Sequence, residues 1–265
     1  MLSETIQAID VHAHFGKHAR NKFAINDKLM SAEADEVVRR ACMANTRLTI
    51  VSPLKALSPR LGGEPIIANI EAARIVSETN GLLQWVVVDP IKPKTYDQAI
   101  EMLKLPKCAG IKIHPEEHGY FIVEYGRAIF EFAASHHAII ETHSGEERSL
   151  PADFVKLAND FPEVTLIISH LGCGFDGDLT HQVRAIQNSK HGNIFTDTSS
   201  AKSITPNLIE WAVEQVGAEH ILYGTDSPVY FAPMQRARID NADINAQDKK
   251  LILHDNATKL FGLID

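Results

Sequence analysis

The chain has 265 residues, of which 45% are apolar and 23% are charged, as in an ordinary soluble globular protein. Its net charge of -8 argues against nucleic acid as a partner, and no apolar run approaches the roughly 20 residues that span a bilayer. The N-terminus lacks the pattern of a signal peptide. The three cysteines, Cys42, Cys108 and Cys173, show neither disulfide nor zinc-ligand spacing, so we expect a cytoplasmic protein.

Eight short apolar runs follow one another along the chain. Most are rich in Ile, Val and Leu without regular polar alternation, which is typical of strands buried on both faces. The predicted strands are residues 8–14, 47–52, 82–89, 109–114, 138–144, 165–171, 193–199 and 221–226.

Helical patterns separate these strands. Capping residues and Gly or Pro stops predict helices at residues 31–45, 67–80, 95–106, 125–137, 149–161, 178–188, 205–217, 246–254 and 257–263. Strand followed by helix, eight times over, predicts a single-domain (β/α)8 TIM barrel across residues 1–265, an α/β fold. An open doubly wound sheet is the alternative.

Two predicted loops are long. Residues 15–30 follow the first strand, and residues 53–65 follow the second. Both would lie over the C-terminal mouth of the barrel, where either could act as a lid.

Side chains that can bind a metal stand at the ends of several predicted strands. His12 and His14 are two residues apart, so in a strand they point to the same side. Only a closed ring brings the ends of the first, fourth, fifth, sixth and eighth strands together. The remaining strand-end residues are His114, His143, His170 and Asp226.

Several neutral imidazoles and one carboxylate suit a borderline divalent ion. Zinc is the first expectation, with manganese, iron or cobalt as alternatives. Three or four protein ligands and an open position are typical of a catalytic site, in which the bound water is acidified and becomes a nucleophile. Asp226 is the expected general base.

These motifs resemble those of a known group. They are Asp10-x-His12-x-His14, Gly110-Ile-Lys-Ile-His114-Pro115, Thr142-His143-Ser-Gly145, Ser169-His170-Leu-Gly172 and Gly224-Thr-Asp226-Ser-Pro228. The chain resembles the amidohydrolase superfamily of metal-dependent hydrolases. Within it, the chain is most similar to the branch of aminocarboxymuconate-semialdehyde decarboxylase and related acid decarboxylases.

The resemblance implies a role for each matching residue. His12, His14 and His143 would bind the metal, and Asp226 would be the fourth ligand or the general base. His170 would contact the water and polarise the substrate in a one-metal site, or bind a second metal in a two-metal site.

The fourth strand leaves two alternatives open. Lys112 and His114 share a face by parity, and we predict both as substrate-binding residues, with Lys112 offering a point charge to a carboxylate. Some two-metal members of the superfamily carry a carboxylated lysine on this strand. One metal per chain is the favoured prediction, because His114 at this position is similar to the pattern of the one-metal branch.

Other polar residues receive a more ordinary interpretation. Taken singly, His143 and His170 are interpreted as hydrogen-bonded core histidines. They are predicted as site residues only because they stand at strand ends together with the other candidate ligands. Asp10 is expected to orient a ligand, and Cys173 to be a buried thiol. The other histidines, His18 and His118 among them, are expected at the surface, although His118 and Tyr120 could reach the substrate.

Three functions follow from this sequence. The first is a hydrolase in which metal-activated water, assisted by Asp226 and His170, attacks an amide, ester or lactone. The alternative is a metal-dependent, non-oxidative decarboxylase of a small unsaturated or aromatic acid. A catalytically silent binding barrel is the third. All three predict a small-molecule ligand, no nucleic acid and no membrane, and any assembly is expected to be a homodimer.

Overall fold

The computed structural model describes residues 6–19, 22–58 and 63–264. Its eight strands form one sheet in chain order, and every neighbouring pair is parallel. The strands are β1 (Ala8–Phe15), β2 (Thr46–Pro53), β3 (Leu82–Val87), β4 (Cys108–Ile113), β5 (Ile140–Thr142), β6 (Leu166–Ile168), β7 (Ile194–Asp197) and β8 (Ile221–Leu222).

The sheet closes on itself between β8 and β1. The amide of Val11 donates to the carbonyl of Tyr223 at 2.9 Å, and the amide of His14 donates to the carbonyl of Ser227 at 2.6 Å. Ala13 and Ser227 also form a parallel bridge. The predicted (β/α)8 TIM barrel is therefore confirmed, and the open doubly wound sheet is wrong.

Helices surround this barrel. They are α1 (Ala24–Leu29), α2 (Ala34–Met43), α3 (Leu54–Leu57), α4 (Pro65–Glu78), α5 (Lys94–Met102), α6 (Pro115–His118), α7 (Ile122–His136), α8 (Pro151–Asp160), α9 (His181–Gln187), α10 (Leu208–Val216), α11 (Ala232–Asp240), α12 (Ala246–Lys250) and α13 (Asn256–Phe261). A π-helical turn, Leu251–Asp255, joins the last two. Among the described residues, no helix combines the length and apolar character that crossing a membrane requires.

The later strands are shorter than predicted, and this affects the site. β5, β6 and β8 end before His143, His170 and Asp226, so these side chains stand on the first turns beyond the sheet. His170 and Asp226 have positive φ angles of 74° and 53°. Non-glycine residues seldom adopt this region, and such strain is concentrated at functional sites.

The core combines apolar packing with buried charge. Phe130 of α7 and Phe154 of α8 are fully buried against the strands of the barrel. Lys112 on β4 and Glu141 on β5 are also buried, at 1% and 0% side-chain exposure. An unpaired buried charge destabilises the fold, so Lys112 and Glu141 each need a partner of opposite charge.

Candidate active site

Three predicted ligands converge at the C-terminal mouth of the barrel. The Nε2 atoms of His12 and His14 lie 3.3 Å apart. Oδ1 of Asp226 lies 3.0 Å from Nε2 of His14 and 3.8 Å from Nε2 of His12. All three residues are buried, and their donor atoms form a group compact enough for one ion. Two imidazole nitrogens and a carboxylate oxygen are donors that fit a divalent metal.

The opposite edges of both rings are held in place. Nδ1 of His12 lies 2.8 Å from Oε1 of Glu141 and 3.0 Å from Oδ2 of Asp197. Nδ1 of His14 lies 2.8 Å from the hydroxyl of Ser52. A carboxylate can only accept, so it keeps the proton of His12 on Nδ1 and points Nε2 toward the centre. This is the usual support for a metal-binding histidine.

Glu141 links this ligand to Lys112. Its Oε1 atom lies 3.1 Å from Nζ of Lys112, which is itself 3.3 Å from Nε2 of His12. Burial lowers the pKa of His12, but Glu141 and Asp197 outweigh burial and raise that pKa to about 10. A metal ion at Nε2 requires that nitrogen to be free of its proton, so metal binding here would depend on pH.

Asp226 is ionised in this environment. Burial raises the pKa of its carboxyl, but the hydrogen bond and charge of His14 outweigh burial and hold that pKa well below its usual range. Asp10 behaves differently. Its carboxylate accepts from the amides of His12 and Thr225 and from the Thr225 hydroxyl, and burial raises its pKa to about 7. Asp10 therefore supports the site from behind His12.

His143 and His170 form a second pair in the same cavity. Nδ1 of His143 lies 2.9 Å from Nε2 of His170, and Nε2 of His143 lies 2.9 Å from Oε1 of Glu146. Burial and the neighbouring His143 lower the pKa of His170 well below its usual value, so His170 is neutral. The ring of His114 stacks on that of His143 at 4.2 Å. The structure thus brings His12, His14 and Asp226 into one group, while both nitrogens of His143 face other partners.

The cavity that holds these groups has a volume of about 190 Å³. Its walls come from the C-terminal parts of strands and from the segments that follow them. The lining includes His12, His14, His18, Leu54, Leu57, Ser58, Lys112, His114, Glu117, His143, Glu146, His170, Cys173, Ser200, Asp226, Val229 and Tyr230. Both predicted substrate-binding residues, Lys112 and His114, are among them.

Several secondary predictions need correction. His18 and His118 are buried, at 4% and 7% exposure, although the sequence suggested surface positions. His118 contacts the carbonyl of Ala56 at 3.1 Å, and neither His118 nor Tyr120 lines the cavity. Both rings fold inward and find a hydrogen-bond partner, His18 in the carboxylate of Asp27 and His118 in the carbonyl of Ala56, as buried polar groups require. Cys173 lines the cavity, and burial raises the pKa of its thiol, so it is a poor nucleophile.

A model of the amidohydrolase family matches residues 9–263. The chain belongs to the amidohydrolase family. This agrees with the resemblance that the motifs carry, and it indicates that the protein is an enzyme. No curated protein matches the chain in sequence.

Solved structures share the fold of this amidohydrolase over nearly its whole length. A 5-carboxyvanillate decarboxylase from Novosphingobium aromaticivorans, in complex with manganese and 4-hydroxy-3-methoxy-5-nitrobenzoic acid, has a TM-score of 0.74 at 12% identity, covering 98% of this chain and 97% of that one. A dihydroxybenzoic acid decarboxylase from a Polaromonas species, with manganese and 2-nitroresorcinol, has a TM-score of 0.75 at 14% identity, covering 97% of each chain. A 2,6-dihydroxybenzoate decarboxylase from Rhizobium has a TM-score of 0.72 at 13% identity, covering 97% and 99%.

Three residues of this amidohydrolase site escaped the sequence analysis. Glu141 and Asp197 hold His12, and the hydroxyl of Ser199 lies 2.8 Å from Nδ1 of His170. Two signals were present. Asp197 and Ser199 end a predicted strand, as the metal ligands do, and Glu141 is a charged residue inside an apolar run.

Proposed function

We propose that this amidohydrolase is a divalent-metal-dependent, non-oxidative decarboxylase of a small hydroxylated aromatic acid. The observation that carries the proposal is a compact donor set, His12, His14 and Asp226, in a small cavity beside a charge-paired lysine. The sequence favoured hydrolysis and kept decarboxylation as the alternative. The structural neighbours act on aromatic acids, which supports the alternative.

The arrangement of charges favours one metal over two. A second donor group, His12 with His170 and Asp197, also lies within reach of an ion, but it shares His12. That ring offers Nε2 to the first group and donates from Nδ1 to carboxylates, so it cannot serve a second ion without losing another proton. Lys112 is ion-paired with Glu141, and a carboxylated lysine would carry the opposite charge at this place.

The donor set accommodates more than one ion. Imidazole and carboxylate ligands suit zinc as well as manganese. Zinc, which the sequence favours, stays a prediction, and the manganese in two of the neighbours makes manganese the second ion to test. His143 would join as a fourth ligand only by giving up one of its two contacts, with His170 or with Glu146. When bound, the ion would neutralise the acidic oxygens of the substrate and orient its ring.

The size of the cavity limits the substrate. An engineered protein cavity of about 150 Å³ binds benzene, so a volume of about 190 Å³ suits a single substituted ring. Lys112 and His114 line this cavity and are our proposed contacts for the substrate's acidic groups, with Nζ of Lys112 3.3 Å from Nε2 of His12.

Decarboxylation breaks the bond between the ring carbon and its carboxylate, releases carbon dioxide and puts a proton on that carbon. Asp226 is the proposed carrier of this proton. Its low pKa means that it begins as a carboxylate, so it first accepts a proton from solvent water and then donates it to the ring carbon as the bond to the carboxylate breaks and carbon dioxide leaves. His170 stays neutral and can orient the acid by hydrogen bonding without adding charge.

The first experiment combines metal analysis with product analysis. Protein purified without chelator or metal-affinity resin is analysed by mass spectrometry for metal content. It is then loaded with zinc or manganese and incubated in D2O with 2,6-dihydroxybenzoate and 5-carboxyvanillate, and with a panel of amides, esters and lactones. We expect about one metal per chain, release of carbon dioxide and a product carrying one deuterium on the ring.

Variants make this test specific. His12→Ala and Asp226→Asn should lose activity with the fold retained by circular dichroism, and His12→Ala should also lose metal. His254→Ala, which removes a histidine outside the cavity, is the control. Turnover of an amide, ester or lactone without carbon dioxide release would contradict the decarboxylase proposal and support the hydrolase hypothesis. No metal after reloading would overturn the metal mechanism.

A further inference from the structure

The loop after β1 places a histidine in the cavity wall that no part of the donor set requires. His18 is 4% exposed and lines the same cavity as His12, His14 and Asp226. The loop also carries α1, which packs no buried side chain of its own against the barrel. The position of His18 therefore depends on specific polar contacts within the loop.

These contacts fix the ring. Nδ1 of His18 lies 2.8 Å from Oδ1 of Asp27 on α1. The amide of His18 donates to the hydroxyl of Ser31 at 2.8 Å, and this hydroxyl donates to the carbonyl of Asp27 at 2.6 Å. Asp27 does not line the cavity. The pair thus resembles His12 with its carboxylates: an acid behind the ring holds a proton on one nitrogen and directs the other.

The second nitrogen of His18 has no partner among the described residues. Nδ1 is taken by Asp27, so Nε2 is the nitrogen left for a molecule in the cavity. A hydrogen bond between Nε2 and an oxygen of a molecule bound in the cavity would complete the hydrogen bonding of this ring.

We propose that His18, positioned by Asp27, binds an acidic group of the aromatic substrate, either its carboxylate, to which Nε2 would donate from the imidazolium, or its ring hydroxyl, from which Nε2 of the neutral ring would accept. This inference rests on the proposed function. A hydroxylated aromatic acid carries at least two acidic oxygen groups, and these can contact different walls of the cavity, with Lys112 and His114 in one part of the lining and His18 in another. His18 binds one of these groups and thereby selects among acids by the position of their substituents. It is a specificity residue, and Asp27 is a positioning residue.

The test measures binding to the metal-loaded protein by calorimetry. There are three probes. Benzoate carries only the carboxylate, resorcinol carries only the hydroxyls, and 2,6-dihydroxybenzoate carries both. We expect His18→Ala to weaken binding of 2,6-dihydroxybenzoate about tenfold or more, as for loss of a hydrogen bond to a charged group. His18→Gln should lose less, because it keeps a side-chain donor. Metal content and thermal unfolding should match wild type, with His254→Ala as the control.

Asp27 supplies a readout that simple loss of packing would not give. Asp27→Asn should weaken binding in the same direction but less. The double variant His18→Ala/Asp27→Asn should bind no worse than His18→Ala alone, because Asp27 acts through His18. Additive losses would mean that Asp27 acts elsewhere, and would overturn its role.

The three probes separate the sources of the oxygen. A loss confined to benzoate and the dihydroxy acid assigns the carboxylate, and a loss confined to resorcinol and the dihydroxy acid assigns the hydroxyl. Equal affinity of wild type and His18→Ala for all probes, or no binding by wild type, would overturn the proposal. If the dihydroxy acid binds and depends on His18 while no carbon dioxide is released, the decarboxylase reading fails and the role of His18 stands.

Discussion

At the scale of single residues, one carboxylate oxygen does two tasks. Lys112 and Glu141 are paired positions on β4 and β5, and Oε1 of Glu141 contacts both Nζ of Lys112 and Nδ1 of His12. A buried ammonium group needs such a partner, because the protein interior solvates charge poorly. Glu141 therefore stabilises the barrel and also orients a candidate metal ligand.

Removing the negative charge of Glu141 should destabilise the protein. We expect Glu141→Gln to lower the free energy of unfolding of the metal-free protein by about 3–5 kcal/mol, the usual cost of leaving a buried charge unpaired. Urea denaturation measures this. The double variant Lys112→Met/Glu141→Gln should be less destabilised than the sum of the single variants, because it no longer buries an unpaired ammonium group. Additivity would show that the two side chains are not coupled.

At the scale of elements, the loops after β5 and β6 meet with no room between them. The amide of Phe175 donates to the carbonyl of Gly145, which has a φ of +93°. A Cβ atom at Gly145 would lie 2.3 Å from the carbonyl oxygen of Cys173. These loops carry His143 and His170, so their close approach helps to set the distance between the two rings.

Gly145→Ala should therefore destabilise the protein by about 3 kcal/mol. Part of this, about 1–2 kcal/mol, is the cost of a left-handed alanine, and overpacking against Cys173 adds about 1–3 kcal/mol. Gly119→Ala is the matched control, because Gly119 has a φ of +78° and nothing within 4 Å of its added Cβ. Urea unfolding of both variants separates the cost of a left-handed alanine, which both share, from the cost of overpacking, which only Gly145→Ala has. Equal losses would mean that the loops can move apart freely.

A helix on the outside of the barrel gives a pH-dependent prediction. On α2, hydrogen bonds from Arg39 and Arg40 lower the pKa of Glu36 to about 2, from 4.5. A carboxyl group whose pKa is lower in the folded than in the unfolded protein stabilises the fold at pH values above its unfolded pKa. This contribution is lost as the pH falls from about 4.5 toward 2. Glu36→Gln should lower the urea midpoint slightly at pH 7, with the difference shrinking from pH 5 to pH 3. Glu78→Gln, at a single exposed ion pair with Arg74, is the control. A difference independent of pH would contradict the ion-pair account.

At the scale of the whole molecule, periodicity and strand-end chemistry predicted the barrel because both are local properties of the chain. Four helices of the described structure were not predicted, namely α1, α3, α6 and α11. The first three are single short turns of four to six residues, whereas α11 is longer and was missed for a physical reason. The buried residues of α11 include Gln235 and Arg236, so its sequence shows no clear apolar stripe. Arg236 uses its buried guanidinium to reach the carbonyl of Ala44, a partner 192 residues away.

The same limit applies to the site. The ligand candidates could be predicted because each ends an apolar run, but their partners could not. Glu141 and Asp197 reach His12 from β5 and β7, across the barrel. Only the closed ring and its register create these contacts. The pairing of His143 with His170 likewise depends on where β5 and β6 end, which periodicity locates only to within a few residues.

The seam between β8 and β1 joins closure of the barrel to the donor set. The hydroxyl of Thr225 donates to Oδ2 of Asp10 at 2.6 Å, and the amide of Ser227 donates to this hydroxyl at 3.1 Å. Thr225 precedes Asp226, and Asp10 holds the amide of His12 at 3.1 Å. Two candidate ligands on opposite sides of the seam therefore depend on one hydroxyl.

Thr225→Val keeps the shape of the side chain and removes this link. We expect a loss of about 1–3 kcal/mol in the free energy of unfolding, because a buried carboxyl oxygen loses its partner, together with weaker metal binding. Thr196→Val is the matched control, since the fully buried Thr196 hydroxyl donates at 2.8 Å to the carbonyl of Ile168, away from the seam. It should lower stability by about 1 kcal/mol and leave metal affinity unchanged. Metal titration by calorimetry, beside urea unfolding, separates the two effects. Equal metal affinity in Thr225→Val and wild type would show that the seam closes the barrel without setting the distance between His12 and Asp226.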